Sequence, residues 1–193
     1  MRRNPAAFGE LTVGMTATIR LATTADADSI AAIYRQYVAD TVISFETEPP
    51  DGAEMARRMA APPPLPWFVA ERAGRVSGYA YASAHRARAA YRWSVDVSVY
   101  LAADERGQGT GRALYARLLD AVRGLGYVNA YAGIALPNPA SVGLHEAMGF
   151  RPVGVYRNVG YKFGRWHDVG WWELALAEPP PADPGEPRPW APG

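Results

Sequence analysis

The chain has 193 residues, 49% of them apolar and 20% charged, with a net charge of +1; that is enough for one α/β domain with a real core and too little for two. Nearly balanced charge excludes a global field for gripping nucleic acid, and no apolar run approaches the ~20 residues that cross a bilayer, so neither nucleic acid nor membrane is expected as a partner. There is no cysteine, which excludes disulfides, thiolate metal sites and a cysteine nucleophile and fits a reducing, cytoplasmic setting.

Residues 1–16 carry no periodic pattern and read as a loose leader, with no apolar stretch of the secretory kind after Met-Arg-Arg. Thr18 to Leu21 reads as a short strand. Thr24 then caps a helix in which Ile30, Ile33, Tyr34, Tyr37 and Val38 share one face. A loop from Ser44 to Pro50 leads to a second helix over Asp51 to Ala60. Trp67 to Glu71 and Val76 to Ser83 make two strands joined at Gly74. Trp93 to Leu101 alternates, with Val95, Val97, Val99 and Leu101 on one face and Asp96, Ser98 and Tyr100 on the other.

A glycine-rich turn follows, Arg106-Gly107-Gln108-Gly109-Thr110-Gly111, then a helix with Leu114, Leu118, Val122 and Leu125 at helical spacing. Val128 to Ile134 reads as a strand and Ala140 to Met148 as a helix that Gly149 ends. Strands over Arg151 to Lys162 and Asp168 to Leu176 complete a domain of residues 17–177. The proline-rich remainder, 178–193, predicts a disordered tail. The order is that of a mixed α/β sheet in one domain.

A strand running through glycines into a helix converges backbone N–H groups and the positive helix end on one spot, so it is an anion site. Arg106 and Arg112 flank it. The turn lacks the Gly-Lys-Ser/Thr ending of a Walker loop, and Arg112 stands where a dinucleotide fingerprint needs glycine. Arg106, Gly109 and Gly111 instead meet the pattern Arg/Gln-x-x-Gly-x-Gly/Ala. In this the chain resembles the GNAT superfamily, whose members hold the pyrophosphate of coenzyme A at that turn.

Further segments narrow the resemblance: Ser44-Phe45-Glu46-Thr47-Glu48-Pro49, Arg86-Ala87-Arg88-Ala89-Ala90-Tyr91, Ser141 to Ala147, and Gly160-Tyr161-Lys162-Phe163-Gly164-Arg165-Trp166-His167-Asp168-Val169. These are similar to phosphinothricin acetyltransferases and their methionine-sulfoximine-acetylating relatives, over about Ile19 to Leu176. The resemblance implies a mostly antiparallel twisted sheet of about seven strands with about four helices, its central strands splayed to hold acetyl-CoA. It implies transfer of acetyl to the α-amine of a small glutamate- or methionine-like amino acid, and a homodimer. The cofactor would meet Val99, Tyr100, Leu101, the turn from Arg106 through Gly107, Gln108, Gly109, Thr110 and Gly111 to Arg112, and then Asn138 and Ser141. Substrate would meet Phe45, Arg86, Arg88, Tyr91 and Lys162.

Asp96 matches the family's catalytic glutamate, one methylene shorter, and His145 matches its histidine on the short helix. Asp96 is the candidate base, with a structural ion pair to a neighbouring arginine as its other reading. His145 would take the amine proton or return one to the departing thiolate. Arg86 and Arg88, two apart, would share a face if extended and grip one anion, or stand as solvated charges. Lys162, the one lysine among 20 basic residues, meets substrate or joins Trp166 and His167 in holding the last hairpin and a subunit contact. His85, His145 and His167 are too scattered for a metal site, so no metal is expected. Another amine substrate, or a non-catalytic acetyl-CoA sensor, are the competing functions.

Overall fold

The computed structural model describes the backbone of residues 11–13 and all of residues 17–191. Eight strands form one sheet: β1 (Leu11–Val13), β2 (Ala17–Leu21), β3 (Trp67–Arg72), β4 (Arg75–Ala84), β5 (Ser94–Leu101), β6 (Asn129–Leu136), β7 (Arg151–Lys162) and β8 (Arg165–Ala175). Their order across the sheet is β1-β2-β3-β4-β5-β6-β8-β7. Four helices complete the fold: α1 (Ala27–Asp40), α2 (Gly52–Met59), α3 (Thr110–Leu125) and α4 (Pro139–Ala147).

All neighbouring strands run antiparallel except β5 and β6, which are parallel and pair only from Ser94 to Asp96 against Asn129 to Tyr131. Beyond that third rung the two strands part. The sheet thus carries a V-shaped gap at its centre, closed at Asp96–Tyr131 and open toward the ends of both strands.

Alternation along the strands feeds two cores, one on each face. On one, α3 lays Leu114, Leu118 and Val122 on Ile19, Phe68, Val95, Val97 and Ala130. On the other, α1 and α2 lay Ile30, Tyr34, Tyr37, Val38 and Met55 on Trp67, Val69 and Tyr79. Asp96 and Ser98 face this second side, with Val95 and Val97 buried on the first.

Three expectations are corrected. Part of the leader, Leu11–Val13, adds an edge strand to β2, a three-residue pairing too short for an alternation to register. The first helix is capped from Thr23 rather than Thr24: a single turn, Thr24–Asp26, precedes α1, and the Asp26 carboxylate accepts the Thr23 N–H at 2.8 Å and pairs with Arg20 at 2.8 Å. Among its described residues the tail has no helix or strand, as its prolines require, but it lies on the body. The Arg188 N–H donates to Leu125 O at 2.8 Å, Trp93 Nε1 donates to Gly185 O at 2.9 Å, and Trp190 packs on Phe68 with ring centres 6.3 Å apart. Glu186 pairs with Arg92.

Candidate active site

The gap between β5 and β6 is a cleft. Its walls are Val97 to Tyr100 on one strand and Ala132 to Ala135 on the other, and Tyr115, Asn138, Ser141 and His145 close its α3 side. Asn138 is the N-cap of α4: its side-chain oxygen accepts the Ser141 N–H at 3.2 Å. That cap fixes the first turn of the helix and brings His145 one turn later against Ser141.

His145 is 3% exposed. Its Nδ1 lies 2.7 Å from the Ser141 carbonyl, which can only accept, so Nδ1 carries the proton. Nε2, 2.8 Å from the Tyr115 hydroxyl, is therefore the acceptor. Burial lowers the pKa of His145, against an upward pull from the Ser141 bond, and the ring is held neutral. Tyr115, which sequence reasoning left among the core positions of its helix, is thus part of the cleft. Its ring is wholly buried and its hydroxyl also reaches Val97 O at 3.3 Å.

Asp96 stands on the opposite face, on the last rung before the strands part. Its Oδ1 lies 2.6 Å from Nδ1 of His85, not from an arginine. Burial raises the Asp96 carboxyl above its ordinary value, opposed first by the hydrogen bond from His85 and then by the charges of His85 and Arg86. The His85 ring is stacked on Tyr131, 4.4 Å between centres at 22°, with the edges of Tyr91 and Trp171 each at 6.1 Å. The Arg86 guanidinium lies over Trp171 at 5.4 Å. The signal for His85 was faint: it follows β4, eleven residues before Asp96, and only the antiparallel register joining Ser83 to Asp96 brings the two together.

The glycine turn sits at the open end of the gap. Gly107 and Gly109 have φ of +76° and +81°, the left-handed region where a side chain is strained, and they let the chain reverse straight into α3. Arg106, Gly107, Gln108 and Arg112 are exposed around it. Three side chains there are already engaged: Thr110 Oγ1 donates to Glu105 at 2.5 Å, Gln108 Nε2 to Asp104 O at 2.8 Å, and the Arg106 guanidinium to the Tyr37 hydroxyl at 3.4 Å. The backbone N–H groups at the start of α3 are the part of the turn that the sequence reading assigned to an anion.

Three placements differ from the sequence reading, and Lys162 lies where its second reading, a contact that holds the last hairpin, puts it. Both backbone groups of Leu101 are tied to α1, the N–H donating to the Tyr37 hydroxyl at 3.2 Å and the carbonyl accepting from it at 2.6 Å, so they are not free for a cofactor. Lys162 is buried, with Nζ donating to Val38 O at 2.6 Å and Ser44 O at 2.7 Å. Phe45 lies on Gly160, where an added Cβ would stand 2.5 Å from its ring, and beside His167. These residues latch the loop after α1 to the β7–β8 hairpin rather than line the space beside Asp96. Arg86 and Arg88 lie in a bend and the cap of a single turn (Ala89–Tyr91), not in a strand; Arg86 and the half-exposed Tyr91 join the Asp96 cluster, and Arg88 is exposed.

A feature the sequence did not suggest is a cavity of about 280 Å³ on the same face as Asp96, between α2 and the β3–β4 strands. Tyr34, Arg58, Trp67, Tyr81 and Ser83 line it, and Ser83 is the register partner of Asp96. Arg58 is held by Glu46 at 2.8 and 2.9 Å and by Glu54 at 2.7 Å. Among the described residues no group of three or more His, Asp or Glu side chains is placed to hold a metal, and no helix is long and apolar enough to cross a membrane.

Residues 19–171 match the family of the acetyltransferase (GNAT) domain. The chain belongs to the GNAT acetyltransferases. It is 39% identical over 170 residues to a phosphinothricin N-acetyltransferase of Streptomyces viridochromogenes, covering 88% of this chain and 93% of that one. An L-methionine sulfoximine/L-methionine sulfone acetyltransferase of Pseudomonas aeruginosa is 38% identical over 168 residues, 84% of this chain and 96% of the relative. Among solved structures, a GNAT phosphinothricin acetyltransferase from Sinorhizobium meliloti in complex with acetyl-CoA superposes with a TM-score of 0.84 at 42% identity, over 89% of this acetyltransferase and 95% of that chain.

Proposed function

We propose that this acetyltransferase moves acetyl from acetyl-CoA to the α-amine of a small glutamate- or methionine-like amino acid, of the phosphinothricin and methionine sulfoximine kind, by direct attack in a ternary complex. The observation that carries the reading is the placement of two proton-handling groups on opposite faces of one gap: the Asp96 carboxylate at its closed end, and the Tyr115–His145 pair across the sheet.

The residues fit acetyl-CoA. The pyrophosphate would rest on the backbone of Gly107 to Gly111 with Arg106 and Arg112 beside it, and the pantetheine arm in the gap, where Val99, Tyr100, Asn138 and Ser141 offer polar backbone and side-chain groups. The thioester carbonyl would be polarised by a backbone N–H of β5 between Ser98 and Tyr100.

The acceptor would enter from the α1–α2 face, its amine at Asp96 and its acidic groups toward Arg86 and Arg88, with Tyr91 covering the carbon chain. The ammonium gives one proton to the carboxylate side. Its nitrogen then attacks the thioester carbon, the C–N bond forms and the C–S bond breaks. The second nitrogen proton passes to the leaving thiolate through the Tyr115 hydroxyl and His145. No cysteine is present to carry an acyl group, which favours this direct route.

Two further parts of the reading rest on the surface and composition. Tyr161, Phe163 and Trp166 are each about 60% exposed on the β7–β8 hairpin, an apolar edge suited to a homodimer contact. Lack of cysteine suits the cytoplasm.

The test is release of coenzyme A from acetyl-CoA with phosphinothricin, methionine sulfoximine, methionine sulfone and a few polyamines as acceptors. Turnover with the amino acids, reduced about 10²–10⁴-fold in Asp96→Ala and in His145→Ala, is expected. Turnover of polyamines alone would overturn the substrate, and tight acetyl-CoA binding with no release would favour a sensor.

A further inference from the structure

The mechanism above uses Asp96 as the base and leaves unused the histidine bonded to it. His85 is 12% exposed at the side chain and Asp96 28%. The short 2.6 Å contact joins Nδ1 to Oδ1. An ionised carboxylate can only accept, so Nδ1 carries the proton and Nε2 presents its lone pair. Nε2 makes no hydrogen bond among the described residues. The ring cannot swing freely, because Tyr131 stacks beneath it and Tyr91 and Trp171 stand at its edges.

The place matters as much as the pairing. Asp96 and Tyr131 are the last rung before the β5–β6 gap opens, and His85 bridges them, stacked on one and bonded to the other. The imidazole therefore stands over the closed end of the cleft, on the face from which an acceptor would come. An aspartate side chain is short, and an imidazole ring set on its carboxylate extends its reach beyond the strand.

We propose that His85 and Asp96 act as a dyad, in which Nε2 of His85 takes the proton from the substrate ammonium and Asp96 fixes the tautomer and balances the imidazolium. The proposal deepens the acetyl-transfer reading and rests on it. In the step, the N–H bond of the ammonium breaks, the Nε2–H bond forms, and the neutral amine keeps the electron pair with which it attacks the thioester. The proton leaves His85 to water after turnover. An imidazole stands closer than a carboxylate in proton affinity to the amine it must deprotonate, which makes it the better-matched base. The other titratable groups around the pair are the Tyr91 and Tyr131 rings against His85, Arg86 near Asp96, and Glu173 beside Tyr131 on the neighbouring strand.

Two measurements test this. The first needs no substrate: nitrogen-15 NMR of the histidine rings in wild type and Asp96→Asn. The dyad requires the Nδ1–H tautomer for His85 at neutral pH and a change of that tautomer in Asp96→Asn, as in hydrolases where asparagine replaces such an aspartate. Any other tautomer, or one indifferent to Asp96→Asn, overturns the dyad even if no acceptor is ever found. The second is steady-state kinetics of His85→Gln, Asp96→Asn and the double variant with an acceptor that wild type turns over. The expected result is a kcat reduced at least about 10²-fold in His85→Gln, a displaced acidic limb of the kcat/KM profile, and a double variant no slower than the worse single. Acetyl-CoA affinity should stay within about threefold. A His85→Gln enzyme within about threefold of wild-type kcat, or losses that multiply in the double variant, would refute the proposal. Failure of wild type with every acceptor would strike at the substrate reading instead, and the NMR result would still decide the dyad.

Discussion

His145 shows how much of a site a side chain's own bonds decide. Committing Nδ1 to a carbonyl one turn back leaves Nε2 as an acceptor, so the proton between the two side chains belongs to Tyr115. Tyr115→Phe should therefore lower kcat by about 10²-fold with acetyl-CoA binding kept, read by steady-state kinetics beside a binding titration. The same burial has a pH signature. The folded-state pKa of His145 lies below its ordinary 6.5, so as pH falls below 6.5 the unfolded chain takes up the proton first. The stability this histidine leaves intact above 6.5 is then lost progressively down to the folded pKa. Thermal melts across that range should fall less steeply for His145→Gln than for wild type; parallel curves would count against a neutral buried ring. Asp96 and His145 stood out as candidates in the sequence, Asp96 on a polar strand face and both through the family resemblance. His85 and Tyr115 did not, because one depends on a register between strands and the other looks like any buried tyrosine on an amphipathic helix.

At the scale of elements, the loop after α1 and the β7–β8 hairpin are joined by a single ammonium. Lys162 satisfies the carbonyls of Val38 and Ser44, and Phe45 fills the space that Gly160 leaves open. Lys162→Met would keep much of the volume and strand both carbonyls, a cost of about 1–3 kcal/mol. We expect a lower melting temperature and faster proteolysis within residues 41–50, while an unchanged melt would show that water replaces the ammonium without loss. A guanidinium is planar and forked where this pocket asks for a compact donor, which gives a physical reason for the one lysine in a chain otherwise rich in arginine. The sequence marked the residue as special but could not say which carbonyls lay near it, since those lie 118 and 124 positions away. Strands and helices themselves were legible because apolar periodicity agreed with the tertiary packing, while the one N-cap read from sequence, Thr24, lay a residue late.

For the molecule as a whole, the tail is the clearest departure from what composition suggested. Proline content does exclude regular structure, but it says nothing of whether an extended segment finds a surface. Here Trp190 rests against Phe68 beside the α3 core and Arg188 closes onto the end of α3. Ending the chain at Ala177 should expose that surface and cost about 1–2 kcal/mol, a part of what fully burying a large apolar side chain contributes, since Trp190 is only partly buried. Trp190→Ala should reproduce most of the loss in a denaturant titration, and full stability of the shortened chain would show that the tail merely lies there. The seam between β5 and β6 has a different consequence for the whole. Only three residue pairs, with the Trp93 carbonyl just before them, join the two strands, so the helices laid over the sheet carry much of the cohesion between its two halves. A substitution that zipped the seam further would produce a sturdier protein with nowhere to put its cofactor. Along this one line, selection for function and selection for stability pull in opposite directions, and the sheet has to be left unfinished for the enzyme to be complete.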